Sequence, residues 1–307
     1  MRVIVVGCGY VGLVSGACFA ELGNEVVCVD ANPARVAELE AGHCPIYEPG
    51  LEELIARNRQ AGRLSFARCL PFLGPDVDLV MIAVGTPPAR GGGADLSAVH
   101  AVAEEIALKA HARIVVATKS TVPPGTGDAV ERIIRAARPG LDVSVASNPE
   151  FLREGSALSD FLRPDRIVIG TQDPQARIAL MRLYRPLTDA GAPLVATTRI
   201  AAEITKYAAN AFLALKITFI NEIADLCEAA AADVRDVAHG IGLDHRIGKE
   251  FLRAGPGYGG SCFPKDTSAL AATAREFGMS LRLVEEAILV NEERKYAMGH
   301  RVIDAMG

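Results

Sequence analysis

Val3-Ile4-Val5-Val6-Gly7-Cys8-Gly9-Tyr10-Val11-Gly12 decides the fold. Four consecutive β-branched residues make the short apolar run that is buried on both faces of a parallel sheet. A glycine turn of the form GxGxxG follows and leads into a helical pattern that runs through Leu22. The next strand, residues 25–29, ends at Asp30, eighteen residues after Gly12. Strand, glycine turn, helix, strand and acid in that order specify a dinucleotide-binding unit, where GxGxxG alone would not. Gly7 permits the tight turn, Gly9 lets a diphosphate approach the backbone, and Gly12 allows close packing of helix on strand. The diphosphate sits on the helix N-terminus, so Gly7, Gly9, Tyr10, Val11 and Gly12 are the candidate cofactor contacts. An acid at Asp30 accepts hydrogen bonds from the adenosine ribose and repels a 2′-phosphate, which favours NAD over NADP. Arg35 is the complication, since a nearby arginine can serve NADP. It is expected to lie along the adenosine side of NAD.

Arg2 precedes an apolar run over residues 3–20 that mimics a secretion signal or a membrane span. Glycines at 7, 9, 12 and 16 cut it into strand, turn and helix, so no membrane association is expected. Strand and helix patterns then alternate through the first two-thirds of the chain, with apolar strands at 79–84, 114–117, 143–146 and 167–169. This predicts a Rossmann-like, doubly wound parallel α/β sheet. Such sheets bind ligands beyond the carboxyl ends of their strands. Three strand ends carry polar loops there: Gly85-Thr86-Pro87-Pro88, Lys119-Ser120-Thr121-Val122-Pro123-Pro124-Gly125-Thr126, and Asn148-Pro149-Glu150-Phe151-Leu152-Arg153-Glu154-Gly155. Ordinary turn chemistry would account for any one of them alone.

With 307 residues, half of them hydrophobic, the chain is long enough for one large domain or two ordinary ones. A net charge of −5, with lysine and arginine not gathered in a patch, argues against nucleic acid as a partner. The seven cysteines, at 8, 18, 28, 44, 69, 227 and 262, are odd in number and lack metal-ligand spacing. They read as reduced thiols of a cytoplasmic protein, with no metal site.

From residue 199 the pattern changes to helix. Residues 199–232 contain neither glycine nor proline, and their apolar residues cover more than one face. A helix of up to ~50 Å follows from a rise of 1.5 Å per residue, and so apolar a helix must be covered. It is expected to form both the centre of a helical domain and a homodimer seam. The domain organisation read here is 1–198 for the dinucleotide-binding domain and 199–307 for an all-helical central domain built on that long helix. Lys206 and Asn210 are four apart and share a face. Aimed at a pocket they could hold an oxyanion, although a solvated surface is the usual place for a lysine.

Gly255-Pro256-Gly257-Tyr258-Gly259-Gly260-Ser261-Cys262-Phe263-Pro264-Lys265-Asp266 places one cysteine between a glycine-rich loop and a helix start. Pro264 suits a first helical turn, so Cys262 should lie just before a helix N-terminus. The partial positive charge there, with Lys265 nearby, favours a thiolate. Asp266 follows four residues later, placed to act on a water or on the sulfur. A free cysteine is more often a small buried hydrophobe, but the glycine-rich approach and the Pro-Lys-Asp that follows point to a reactive thiol.

Taken together these segments resemble the UDP-glucose/GDP-mannose dehydrogenase family, enzymes that oxidise a primary alcohol of a nucleotide sugar to a carboxylate. The resemblance runs from Met1 to the end of the chain. It is carried by the glycine turn with Asp30, Tyr47-Glu48-Pro49-Gly50-Leu51, Gly85-Thr86-Pro87, Lys119-Ser120-Thr121-Val122-Pro123, the segment from Asn148 to Gly155, Glu203 with Lys206 and Asn210, and the cysteine segment, which is the most specific. The UDP-glucose branch is the nearest, with GDP-mannose enzymes sharing a similar cysteine segment. The resemblance implies an NAD-dependent four-electron oxidation of UDP-glucose at C6 to UDP-glucuronate, two NAD per sugar, through a thiohemiacetal and a thioester on Cys262. It implies oxyanion roles for Lys206 and Asn210, water activation by Asp266, proton acceptance by Glu150 and a water network held by Thr121. Gly85, Thr86, Pro87, Thr121, Glu154 and Lys265 are the further cofactor contacts it implies. Glu150, Phe151, Leu152, Arg153, Lys206, Asn210, Phe251, Gly255, Tyr258 and Gly259 are the implied substrate contacts, and the product would serve polysaccharide biosynthesis. Related enzymes carry a third, UDP-binding domain, expected to be missing here because the sequence stops at Gly307. The alternatives are another nucleotide sugar, a two-electron dehydrogenase of the 6-phosphogluconate or hydroxyacid type in which Cys262 has no place, and an inactive NAD-binding and dimerisation module.

Overall fold

The apolar N-terminal run resolves into β1 (Arg2–Val6), a glycine turn and α1 (Tyr10–Glu21). The computed structural model describes all residues 1–307. The chain continues through β2 (Glu25–Val29), α2 (Pro33–Glu40), α3 (Leu51–Gln60), β3 (Leu64–Ala67), β4 (Leu79–Ile82), α4 (Ser97–Lys109), β5 (Ile114–Thr118) and α5 (Thr126–Ala137). Then come β6 (Val143–Ser147), α6 (Ala157–Leu162), β7 (Ile167–Gly170), α7 (Pro174–Asp189) and β8 (Leu194–Thr197). The rest is helical: α8 (Arg199–Ala229), α9 (Val234–Gly242), α10 (Phe263–Glu276) and α11 (Arg282–Met306). No helix is long and apolar enough to cross a membrane.

Two compact units result: Met1–Thr86 with Asp95–Lys206, and Pro87–Ala94 with Tyr207–Gly307. The first is the sheet unit, an eight-stranded sheet in the order β3-β2-β1-β4-β5-β6-β7-β8. Strand alternation sends the residues of β1 to two apolar layers. Val3 and Val5 pack with Leu13 and Ala17 of α1, Leu54 of α3 and Leu180 of α7. Ile4 and Val6 pack with Val99 and Ile106 of α4 and Val130 and Ile134 of α5. This is the doubly wound arrangement that the alternating pattern predicts.

The sheet departs from an all-parallel one at a single place. The first six strands are parallel, whereas β7 meets β6 antiparallel through Ser147 and Gly170, and β8 runs with β7. An antiparallel neighbour needs no crossover, so residues 148–166 leave and re-enter the sheet at the carboxyl edge of β6. Glu150 is at this edge because it follows the end of β6, and the reversal keeps the rest of the segment there as well. The strands missing from the sequence reading, β3 and β8, are the two edges of the sheet. Their residues are partly exposed, unlike the wholly buried β4 and β7 of the same length, so they lack the continuous apolar run that marks an inner strand.

In the second unit α8 stops three residues before the expected end. Ala231 adopts a left-handed φ of 56°, and the Ala232 N–H turns back to the carbonyl of Cys227 at 2.8 Å. A run of alanines carries no stop signal, because alanine is the best helix former. The glycine-rich loop before α10 is strapped by two helices. Asn221 of α8 accepts the Gly255 N–H at 2.8 Å, and Arg294 of α11 donates to the Gly255 carbonyl at 2.6 Å. Asn291 of α11 clamps both backbone groups of Tyr258, accepting its N–H at 2.7 Å and donating to its carbonyl at 3.1 Å.

Candidate active site

The dinucleotide turn in the sheet unit separates its glycines by purpose. At Gly7, where φ is +106°, a Cβ would stand 2.6 Å from the Ala83 carbonyl oxygen, and at Gly12 it would stand 1.8 Å from that of Gly7. Both are demanded by packing. A Cβ at Gly9 would meet nothing within 4 Å. The fold leaves that space open, as the approach of a diphosphate to the α1 N-terminus would need. Gly85, beyond β4, is open in the same way. Asp30 accepts the N–H groups of Cys8 at 2.7 Å and Asn32 at 2.9 Å, and Arg35 pairs with it at 3.1 Å. These residues fit NAD, with Arg35 engaged by the acid. Thr86 donates its hydroxyl to the Thr121 carbonyl at 2.7 Å, drawing the loops after β4 and β5 together. Pro87 falls in the other unit. Tyr10 donates its hydroxyl to Glu48, and Val11 is half-buried in the first turn of α1.

A second cluster in the same unit centres on Lys206, at the end of the first two turns of α8. Its Nζ lies 3.1 Å from Glu150 Oε1, and the two side chains are 4% and 6% exposed. The solvated-surface alternative for this lysine is thereby removed. Glu150 Oε2 accepts the Leu152 N–H at 2.5 Å, and Lys206 Nζ stands 5.4 Å from the Phe151 ring centroid. Arg166 stacks on the same ring at 3.7 Å, and burial pulls its guanidinium below the usual arginine range. Arg153 is turned to Asp160 at 2.6 Å, and Glu154 is exposed. Lys119 does not face the crevice. Its Nζ is buried against Tyr184 Oη at 3.0 Å and Asn148 Oδ1 at 3.4 Å.

Glu203 anchors this part of α8. Its carboxylate accepts the N–H groups of Gly125 at 2.7 Å and Gly127 at 2.8 Å and the Ser147 hydroxyl at 2.7 Å. Burial pushes its carboxyl above the usual range, against three hydrogen bonds that favour the anion. Sequence reading named Glu203 without a task for it. Its signal was the spacing of three from Lys206, which puts both on one side of a helix.

In the helical unit Cys262 is the N-cap of α10, half-buried, with its Sγ 3.6 Å from Ser261 Oγ. Pro264 is in the first turn, as expected. Asp266 is 1% exposed and sits one turn into the helix, where it accepts Asn210 Nδ2 at 2.6 Å and Lys265 Nζ at 2.5 Å. Asn210 and Asp266 are thus brought together from 56 residues apart. Lys265, expected at the cofactor, is engaged by Asp266. Tyr258 is buried and edge-on to Phe263, and burial pushes its phenol up. Phe251 takes a left-handed φ of 64°, a strained conformation for a bulky residue, and its ring meets Phe263 edge-on at 6.0 Å. A Cβ at Gly255 or Gly259 would meet nothing within 4 Å, so this loop keeps an open backbone.

Residues 1–188 match the family model for the NAD binding domain of the UDP-glucose/GDP-mannose dehydrogenase family, and residues 200–293 match its central domain. The chain belongs to the UDP-glucose/GDP-mannose dehydrogenase family. It is thereby an NAD-dependent oxidoreductase by kinship, with NAD as its cofactor. Within the family, a UDP-glucose 6-dehydrogenase of Rhizobium meliloti is 58% identical over 310 residues, which cover all of this chain and 71% of that protein. The UDP-glucose 6-dehydrogenase TuaD of Bacillus subtilis is 47% identical over all of this chain and 66% of its own length. The structure of a UDP-glucose dehydrogenase from Pyrobaculum islandicum matches with a TM-score of 0.90 at 46% identity, over 95% of this chain and 68% of that one. The chain therefore spans about two thirds to seven tenths of the length of these dehydrogenase relatives.

Proposed function

We propose that this chain oxidises the C6 alcohol of UDP-glucose to the carboxylate of UDP-glucuronate in two successive two-electron steps. The observation that carries the reading is the arrangement behind Cys262: a buried Asp266 held by Asn210 and Lys265, one helical turn from a half-buried thiol. The choice of sugar follows the relatives, which are UDP-glucose 6-dehydrogenases. When bound, NAD supplies the hydride acceptor, and two molecules are needed for the four electrons that separate an alcohol from a carboxylate. Lys206 and Asn210 stabilise negative charge on the C6 oxygen. Cys262 adds its sulfur to the C6 aldehyde, and the thiohemiacetal so formed again carries a C–H bond and an O–H proton to lose. Loss of both leaves a thioester. Asp266 orients a water, Glu150 takes its proton, and attack at C6 expels the Cys262 thiolate and leaves the carboxylate. Thr121 belongs to the water network. A homodimer through α8 in the cytoplasm completes the reading; Phe212, Phe219 and Leu226, seven apart on that helix, are exposed and support it.

The test is the yield of NADH with UDP-glucose limiting and NAD in excess, with GDP-mannose run beside it. About two NADH per UDP-glucose are expected, since two hydrides leave each sugar. One NADH per sugar, or full turnover by Cys262→Ser, would assign a two-electron dehydrogenase instead. NAD binding without NADH from either sugar would leave an NAD-binding module.

A further inference from the structure

Two segments far from it in the sequence, Tyr10 and the loop at 155–157, converge on the carboxylate of Glu48. Tyr10, the first residue of α1, donates its hydroxyl to Oε2, and the Gly155 N–H donates to the same oxygen at 2.8 Å. The Ala157 N–H donates to Oε1 at 2.8 Å. Glu48 is 6% exposed, and the Tyr10 hydroxyl also lies 3.4 Å from the Arg153 carbonyl oxygen. All of these residues belong to the sheet unit. Burial and the Glu48 carboxylate push the Tyr10 phenol up, which keeps it a neutral donor. Gly155 has a φ of +84°, so the chain turns sharply at the point where Glu48 holds it.

We propose that Glu48 is a positioning residue of the NAD site, fixing the 153–157 loop against the glycine turn that receives the diphosphate. Tyr10 follows directly on Gly9, whose open side marks the diphosphate approach, and Glu154 is the residue immediately before the clamped N–H of Gly155. The clip therefore sets the separation between the turn and the loop. The inference rests on NAD as cofactor and is independent of which sugar is oxidised.

Glutamine is not an innocent replacement here. Whichever way its amide is turned, its NH2 faces a backbone N–H, that of Gly155 or that of Ala157, and one donor loses its acceptor. Tyr10→Phe removes only the hydroxyl and leaves both backbone bonds to Glu48. The experiment is titration of NAD by calorimetry into the wild-type chain, Glu48→Gln, Tyr10→Phe and the double variant, well below the melting temperature of each apo protein. A loss of one buried hydrogen bond corresponds to roughly tenfold in equilibrium, so Kd for NAD is expected to rise about tenfold in Glu48→Gln and less in Tyr10→Phe. The double variant should bind no worse than Glu48→Gln, because the hydroxyl acts through Glu48. A merely structural clip would lower the melting temperature and leave Kd unchanged. That result in Glu48→Gln, or additive effects in the double variant, overturns the proposal. Should Glu48→Gln fail to fold, an unchanged Kd in Tyr10→Phe overturns it.

Discussion

Lys206 and Glu150 form an ion pair sealed from solvent, Nζ to Oε1 at 3.1 Å, between the start of α8 and the loop that leaves β6. Removing either partner leaves a buried charge without compensation, which costs about 3–5 kcal/mol. Lys206→Ala and Glu150→Ala are each expected to lose stability on that scale in urea unfolding, and the double variant less than their sum. Turnover with UDP-glucose should fall on the order of 100-fold in Lys206→Ala if the lysine stabilises the oxyanion. Near-normal turnover in that variant would remove the role.

The three glycines of the dinucleotide turn should respond differently to alanine. At Gly9 φ is −72° and the space is open, so Gly9→Ala is expected to keep the melting temperature of the apo protein and to weaken NAD binding by about tenfold or more. Gly12→Ala drives a Cβ to 1.8 Å from the Gly7 carbonyl oxygen and should lower stability by about 1–3 kcal/mol or more before any ligand is added. Thermal melts with and without NAD separate the two. Equal apo destabilisation of both variants would show that Gly9 is also a packing glycine.

The buried Asp266 makes a kinetic prediction. Asp266→Asn keeps a side chain of the same size against Asn210 and loses the charge that, in the proposed mechanism, orients water for the thioester. A rapid-mixing experiment is expected to show a burst approaching about two NADH per chain followed by a slow phase, with the sugar held on Cys262 as a mass increment. A slow steady rate with no burst would place Asp266 before the thioester.

Alkali should unfold the protein through its buried thiols and phenols. Burial drives the Cys18 thiol far above its usual range, and a contact with Cys8 together with burial does the same to Cys28. For an acid whose folded pKa is raised, the stability contribution is complete below the unfolded pKa and is lost as pH rises toward the folded one. The unfolded chain titrates near pH 8.5, so stability should fall above that value by about 1.4 kcal/mol per pH unit for each such group. Tyr258, raised by burial, adds to the slope from about pH 10. Urea unfolding from pH 8 to 10.5 should give a shallower decline in Cys18→Ala. An unchanged slope would mean that Cys18 ionises as readily folded as unfolded.

By itself the sequence determined what depends on neighbours in the chain. The pattern around Gly7, Gly9, Gly12 and Asp30 specified strand, turn, helix and acid, because each glycine answers a local backbone requirement. Pro264 marked the helix start behind Cys262, and an uninterrupted run without glycine or proline marked α8. Tertiary structure decided everything that depends on which distant segments meet. The reversal at β7 brings residues 148–166 back into the sheet at the same carboxyl edge they left, and no local signal distinguishes an antiparallel neighbour from a parallel one. The buried acids tell the same story. Glu48, Glu203 and Asp266 look alike in sequence, yet one holds a loop to the glycine turn, one caps α5 from α8, and one is held by Asn210 and Lys265 a turn into α10. A carboxylate takes its task from the donors that burial brings to it, and those donors come from 76 residues away for Glu203 and Gly127 and 107 for Glu48 and Gly155.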